Sequence, residues 1–209
     1  MKKLTKAEKI TIDSYNLFAP EWAANHANQE FWRKELATFK RFLPAGKILE
    51  VGCGGGRDAQ SLSEAGYEYT GTDISKGLLE VAQQNNPHLT FFSKSVYGLD
   101  FPKDHFDGFW ASAVLLHIPK KRINEALVGI HRVIRNQGVG FISIKQGVGE
   151  KISDGDEKFG NKFRRLFALY KKGEFANYLL TANYSILETQ VRADSSKTVW
   201  LVYFVQAIK

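Results

Sequence analysis

The stretch ILEVGCGGGRD, residues 48–58, runs from an apolar segment with the bias of a buried strand into a cluster of glycines and then into a helix start. Gly52, Gly54 and Gly56 can take backbone angles closed to other residues and carry no Cβ, so a ligand could approach the main chain closely there. A helix beginning near Arg57 would turn unpaired N–H groups and the positive end of its dipole toward the same loop, which favours a carboxylate or phosphate. Arg57 itself could add a charge-assisted bond to that anion. Close packing of a helix on a strand also selects such glycines, so the loop alone does not decide function.

A second feature narrows the reading. Asp73, in TGTDIS, stands at the end of the next expected strand, where a carboxylate can accept bonds from two ribose hydroxyls. Capping of the helix after Ser75 is the plainer alternative. The dinucleotide pattern G-x-G-x-x-G begun at Gly52 would demand glycine where the chain has Arg57, and no tyrosine is followed four positions later by lysine. Both observations speak against a nicotinamide dehydrogenase.

Outward from this unit the chain alternates. Apolar runs at 47–51, 67–72, 89–93, 108–111 and 138–145 read as strands, and helical patterns at 57–65, 76–84 and 120–135 separate most of them. Alternation of this kind implies crossover connections, a parallel sheet and helices on both faces, a doubly wound α/β domain. Before it, residues 4–42 read as helices carrying Trp22, Phe31, Trp32, Leu36 and Phe39 at spacings near three and four, and Leu43-Pro44-Ala45-Gly46 stops them. After Gly147 come a polar stretch at 150–158, helices expected at 159–170 and 174–180, and apolar runs at 184–192 and 198–208 whose turn-rich link suits an antiparallel pair.

The 209 residues fit one domain, and 44% apolar with 24% charged residues is a globular composition. The basic start MKKLTKAEKI is not followed by the apolar run of a signal peptide, and no run is long enough to span a bilayer, so a soluble cytoplasmic protein is expected. One cysteine excludes an internal disulfide, and five scattered histidines form no metal-ligand cluster, so no metal is expected. The net charge of +7 would attract anions, nucleic acid included, although several of its lysines sit in the first residues as a solvated tail would.

On these residues the chain resembles the class I S-adenosylmethionine-dependent methyltransferases, most of all the small single-domain bacterial members, over about residues 15–146. The resemblance implies a Rossmann-like, doubly wound, mostly parallel seven-stranded sheet with an antiparallel C-terminal strand lying between the fifth and sixth. It also implies one domain over 1–209: an N-terminal helical segment covering the site (1–43), a cofactor-binding core (44–146), and a helical insertion with the final strand pair (147–209). S-adenosyl-L-methionine would be the cofactor. Glu50 with Gly52, Gly54 and Gly56 matches the first motif, Asp73 the ribose-holding acid and Ile74 the residue packed on adenine. Ser95 and Val96 stand where an Asp and a small residue are common, and Cys53, Arg57 and Ala111 complete the expected cofactor set. Asn136-Gln137-Gly138 replaces the frequent Pro-Gly-Gly before the fifth strand.

Methyl transfer from a sulfonium is a direct displacement whose donor is already activated, so alignment and exclusion of water are the protein's main tasks. A base is needed only where the acceptor must lose a proton. His117, in LLHIP after the fourth strand, is the candidate, with packing of the next helix as its alternative. Cys53 lacks an activating base and is not expected to act as a nucleophile. Tyr15 begins YNLFA, which resembles the Y-D-x-x-A entry of related enzymes; with Trp22, His26 and Lys145 it would line the acceptor pocket, unless Tyr15 and Trp22 are simply core aromatics. Lys158, Lys162, Arg164, Arg165, Lys171 and Lys172 surround an expected aromatic helix with Phe159, Phe163, Phe167 and Tyr170. That arrangement could grip RNA but reads more simply as a buried face with solvated charges. A small-molecule acceptor is therefore expected, ahead of a tRNA methyltransferase or a non-catalytic S-adenosylmethionine-binding protein. The oligomeric state is not fixed by the sequence.

Overall fold

In the computed structural model, which describes residues 3–209, the apolar runs on either side of the glycines become neighbouring parallel strands. β1 (Gly46–Val51) pairs with β2 (Tyr67–Asp73) on one side and β4 (Phe106–Ser112) on the other. β3 (Thr90–Ser93) flanks β2, and β5 (Ile134–Lys145) flanks β4. β9 (Val199–Ala207) then runs antiparallel between β5 and β8 (Tyr184–Ala193), completing a seven-stranded sheet of order β3-β2-β1-β4-β5-β9-β8.

The sheet is covered on both faces because its central strands are apolar on both. Successive residues go to opposite sides: Ile48, Trp110, Phe141 and Val202 enter one core, whereas Leu49, Phe109, Ile142 and Leu201 enter the other. The first core is closed by α3 (Arg33–Phe42) and α4 (Arg57–Glu64), through Phe39 and Leu62. The second is closed by α6 (Ile123–Val133) and α7 (Lys172–Thr181), through Leu127, Ile130, Phe175 and Leu179. α5 (Lys76–Asn85) follows β2 and buries Leu78 and Ala82. α3 is thus a layer of the fold, whereas α1 (Lys6–Leu17), α2 (Ala19–Asn25) and the segment that follows α2 lie over the carboxyl edge of the strands.

One expected helix is absent. Residues 159–170 form no helix; the chain makes a short antiparallel ribbon, β6 (Glu150–Ile152) with β7 (Leu166–Ala168), joined by turns in which Gly155 and Gly160 take positive φ of 139° and 73°. The fourfold spacing of Phe159, Phe163 and Phe167 mimics a helix stripe. Burial instead follows a period of two, with Leu166, Ala168 and Tyr170 inside and Phe167 and Leu169 half-buried. Phe163 is fully buried against Tyr15 and Phe18 of the cover. No helix among the described residues is long and apolar enough to cross a membrane.

Glu8 latches the cover to the domain. Its carboxylate accepts from the Tyr97 hydroxyl (2.6 Å) and from the amide and hydroxyl of Thr5 (2.7 Å each), and it pairs with Arg122 at 3.0 Å. Burial alone would raise this carboxyl, but the bonds from Tyr97 and Thr5 and the charge of Arg122 outweigh it and hold the group below its usual 4.5. A group lowered in the folded state stabilises above its unfolded pKa and loses that contribution as pH falls through the folded one. Glu8→Gln is expected to cost ~1–3 kcal/mol at pH 7, with the gap in melting temperature from the parent closing toward pH 3. A gap of equal size at both pH values in thermal melts would remove the latch.

Candidate active site

Because β1 to β5 are parallel, their carboxyl ends share one edge, and the antiparallel β9 begins there as well. A cavity of about 790 Å³ runs along this edge beneath α1 and α2. Glu50, Gly52, Cys53, Gly54, Gly56, Arg57, Asp73, Ile74, Ser95 and Val96 line it, as do Tyr15, Trp22, His117 and Lys145. Sequence positions far apart are brought together here by strand order. Ala111 is the exception: it is fully buried in the core under α6, and the following Ser112, Ala113 and Val114 line the cavity in its place.

The loop after β1 turns its amides inward. Gly52 and Cys53 donate to the Thr72 carbonyl at 2.7 and 2.9 Å, Gly56 donates to Cys53, and Gly54 donates to Asp73 Oδ2 at 2.9 Å. Gly52 and Gly54 hold φ of 70° and 55°, and a Cβ on Gly54 would lie 3.2 Å from the Trp22 ring while one on Gly52 would strike Val114. Glycine is therefore required by positive φ and by close approach of the cover as well as by any ligand.

Asp73 accepts a second amide, from Ser75 at 2.8 Å, so it ties the loop after β1 to the start of α5. It is not the helix cap, because Ser75 occupies that place and accepts from Leu78. Burial raises the Asp73 carboxyl, and the amides of Ser75 and Gly54 pull it back. Oδ2 takes the Gly54 amide and Oδ1 the Ser75 amide, and a carboxylate oxygen with one such bond retains a lone pair. Ile74, Leu78 and Val96 supply apolar wall beside it, and Ser95 Oγ accepts from the Tyr97 amide at 3.3 Å. These features fit a nucleoside: a hydroxyl-binding carboxylate next to an apolar slot.

Other expected contacts are already committed. Arg57 forms a two-pronged bond to Asp58, at 2.6 and 2.9 Å, and reaches Ser112 at 3.2 Å, so it is not a free anion-binding group. Asp58 also accepts from the Trp110 indole at 3.0 Å. Glu50 accepts from the Tyr69 hydroxyl, and burial, then the charge of Asp58, pushes its carboxyl well up. Burial likewise pushes the Cys53 thiol well up, which disfavours the nucleophilic thiolate.

His117 differs from the expected free base. Its Nδ1 lies 2.6 Å from the Leu166 carbonyl, which can only accept, so Nδ1 carries the proton and Nε2 accepts from the Tyr15 hydroxyl at 2.8 Å. Burial, opposed in part by the Leu166 bond, brings its pKa down to about 3. The imidazole is neutral at physiological pH and its proton-accepting nitrogen is occupied. It links the cover to the ribbon rather than standing open to an acceptor. Arg165 and Trp200 reach the cavity from segments the sequence presented as a solvated helix and a strand, and Asn16 secures α1 by accepting from Ser75 Oγ at 2.8 Å.

A family model described as a methyltransferase domain matches residues 48–138. The demethylmenaquinone methyltransferase of Symbiobacterium thermophilum is 32% identical over 122 residues, 52% of this chain and 46% of that protein. The chain spans about half the length of the curated relatives it matches. Among solved structures, the 1,6-didemethyltoxoflavin-N1-methyltransferase of Burkholderia thailandensis, bound to 1,6-didemethyltoxoflavin and S-adenosylhomocysteine, aligns with a TM-score of 0.79 at 20% identity over 100% of this chain and 93% of that one. The [4+2]-cyclase SpnF aligns at 0.75 with 13% identity over 98% and 97%. At such identities the likeness is one of fold, and a fold shared with a cyclase leaves the reaction to be argued from the site. The sequence match falls on the segment that builds β1 to the start of β5: residues 48–138 match a methyltransferase domain, and the chain shares its fold with a methyltransferase solved with S-adenosylhomocysteine.

Proposed function

We propose that the protein transfers a methyl group from S-adenosylmethionine to a small-molecule acceptor by direct displacement. The observation that carries this reading is Asp73, a carboxylate with spare acceptor capacity held by two amides beside the loop after β1, in a cavity large enough for a nucleoside and a second molecule. Asp73 would bind the ribose hydroxyls, Ile74, Leu78 and Val96 the adenine, and the loop at 52–56 the amino acid tail. When bound, the cofactor supplies an electrophilic methyl on a sulfonium. The chain's own task is to align an acceptor and keep water out, which α1 and α2 favour by lying over the cavity.

In this reading His117 is a positioning residue that fixes the Tyr15 hydroxyl, while Tyr15, Trp22 and Lys145 face the acceptor. The RNA alternative draws no support from residues 158–172. They do not form a basic helix, and Arg165 turns inward, with its Nη2 2.8 Å from Asp156.

Titration calorimetry with S-adenosylhomocysteine is expected to show saturable binding, weakened by ~1–3 kcal/mol in Asp73→Ala, whereas NAD should not bind. Unchanged affinity in the variant would remove Asp73 from the cofactor site, and tight NAD binding would overturn the reading. For His117, nitrogen-resolved imidazole spectra should show a neutral ring protonated at Nδ1 throughout pH 5 to 9, in keeping with its pKa near 3. A titration midpoint near 6.5 would restore it as a base.

A further inference from the structure

The cavity is longer than the part assigned to the cofactor. Neighbouring strands lie ~4.8 Å apart, so from β2 to β9, four steps across the sheet, the edge extends roughly 19 Å. The groups assigned to the nucleoside and its tail lie at the ends of β1, β2 and β3. Toward the ends of β5 and β9 the lining changes to Lys145, Arg165 and Trp200, with Phe31 beside the Trp200 ring and Tyr15 beside the Arg165 guanidinium.

Lys145 is the group there without a counter-ion. Its ammonium stands 4.8 Å from the centroid of Phe167 and 5.6 Å from that of Trp200, and among the described residues no carboxylate lies within ion-pair distance of it. The acids nearby are committed. Asp194 accepts from Ser196, Thr198 and the Trp200 indole, Asp156 takes Arg165, and Asp58 takes Arg57. Arg165 adds a second positive charge, and its Nε is buried without a hydrogen-bond partner. Aromatic faces offset only part of the cost of drawing an ammonium out of water. Burial first, and then Arg165, push the Lys145 pKa down against the opposing charges of Asp194 and Asp156, and an anionic ligand would relieve that strain.

We infer that this half of the cavity receives a planar aromatic acid as the methyl acceptor, its acidic oxygen paired with Lys145 and its ring held among Trp200, Phe31 and Tyr15. The inference rests on the methyltransferase reading for the identity of the other half. A charge-assisted bond to the ammonium and stacking on flat side chains would select such a compound over an aliphatic amine, which the Lys145 ammonium repels.

The probes are 2-naphthoate and its neutral counterpart 2-naphthamide, titrated calorimetrically at pH 7 into the free and the S-adenosylhomocysteine-saturated protein. The acid is expected to bind about tenfold more tightly than the amide or better. Lys145→Met should abolish that preference and Lys145→Arg should keep it, both with parental affinity for S-adenosylhomocysteine. Equal binding of acid and amide, failure of the acid to bind, or a preference that survives in Lys145→Met would overturn the inference. Failure of S-adenosylhomocysteine to bind would instead strike the cofactor reading, and the comparison of acid with amide on the free protein would still decide the anionic subsite.

Discussion

The site depends on one carboxylate. Asp73 receives the amide of Gly54 from the loop after β1 and the amide of Ser75 from the start of α5, and so ties two chain segments together at the sheet edge. Without it the loop would retain its bonds to the Thr72 carbonyl and those that the Asn85 and Asn86 side chains donate to the Gly55 and Gly56 carbonyls, but lose the tie from Gly54 to the start of α5. The burial that raises the Asp73 carboxyl also makes each remaining lone pair a strong acceptor for a ligand hydroxyl. One side chain thus serves as a structural tie and, in the proposed reading, would also be the acceptor for the ribose.

The cover is joined to this edge by polar contacts as well as packing. The Tyr15 hydroxyl meets His117 Nε2, and His117 Nδ1 meets the Leu166 carbonyl, so α1, the segment after β4 and the ribbon of β6 and β7 converge on a neutral imidazole. Ser14 extends the connection through the Arg164 carbonyl at 2.7 Å, and Asn16 through Ser75 and Gly77. Trp22 lies over Gly54, which places the cover directly on the loop it protects. The cover thereby supplies part of the cavity wall.

Strand order and the grouping of distant residues were legible in the sequence because both follow from local signals: apolar runs of strand length, helices between them, and chemistry concentrated where strands end. Asp73, the glycine loop, Tyr15, Trp22, His117 and Lys145 accordingly share one cavity. What was not legible depended on partners. The inward bond of Arg57 to Asp58 and the engagement of both nitrogens of His117 are properties of pairs that no spacing reveals. Ala111 faces the core because a strand alternates and its register chose that face. The ribbon at 150–168 was misread because phenylalanines four apart satisfy a helix stripe, while Gly160 and the inward alternation of Leu166, Ala168 and Tyr170 carried the weaker, correct signal.

The central claim is that the edge beside Asp73 holds a nucleoside sulfonium cofactor, and a crystal structure grown with S-adenosylhomocysteine tests it most directly. The account predicts electron density along the loop at 52–56, with both ribose hydroxyls within hydrogen-bonding distance of the Asp73 carboxylate. Density for the nucleoside elsewhere on the protein, or a ribose that leaves Asp73 bonded only to Gly54 and Ser75, would contradict it.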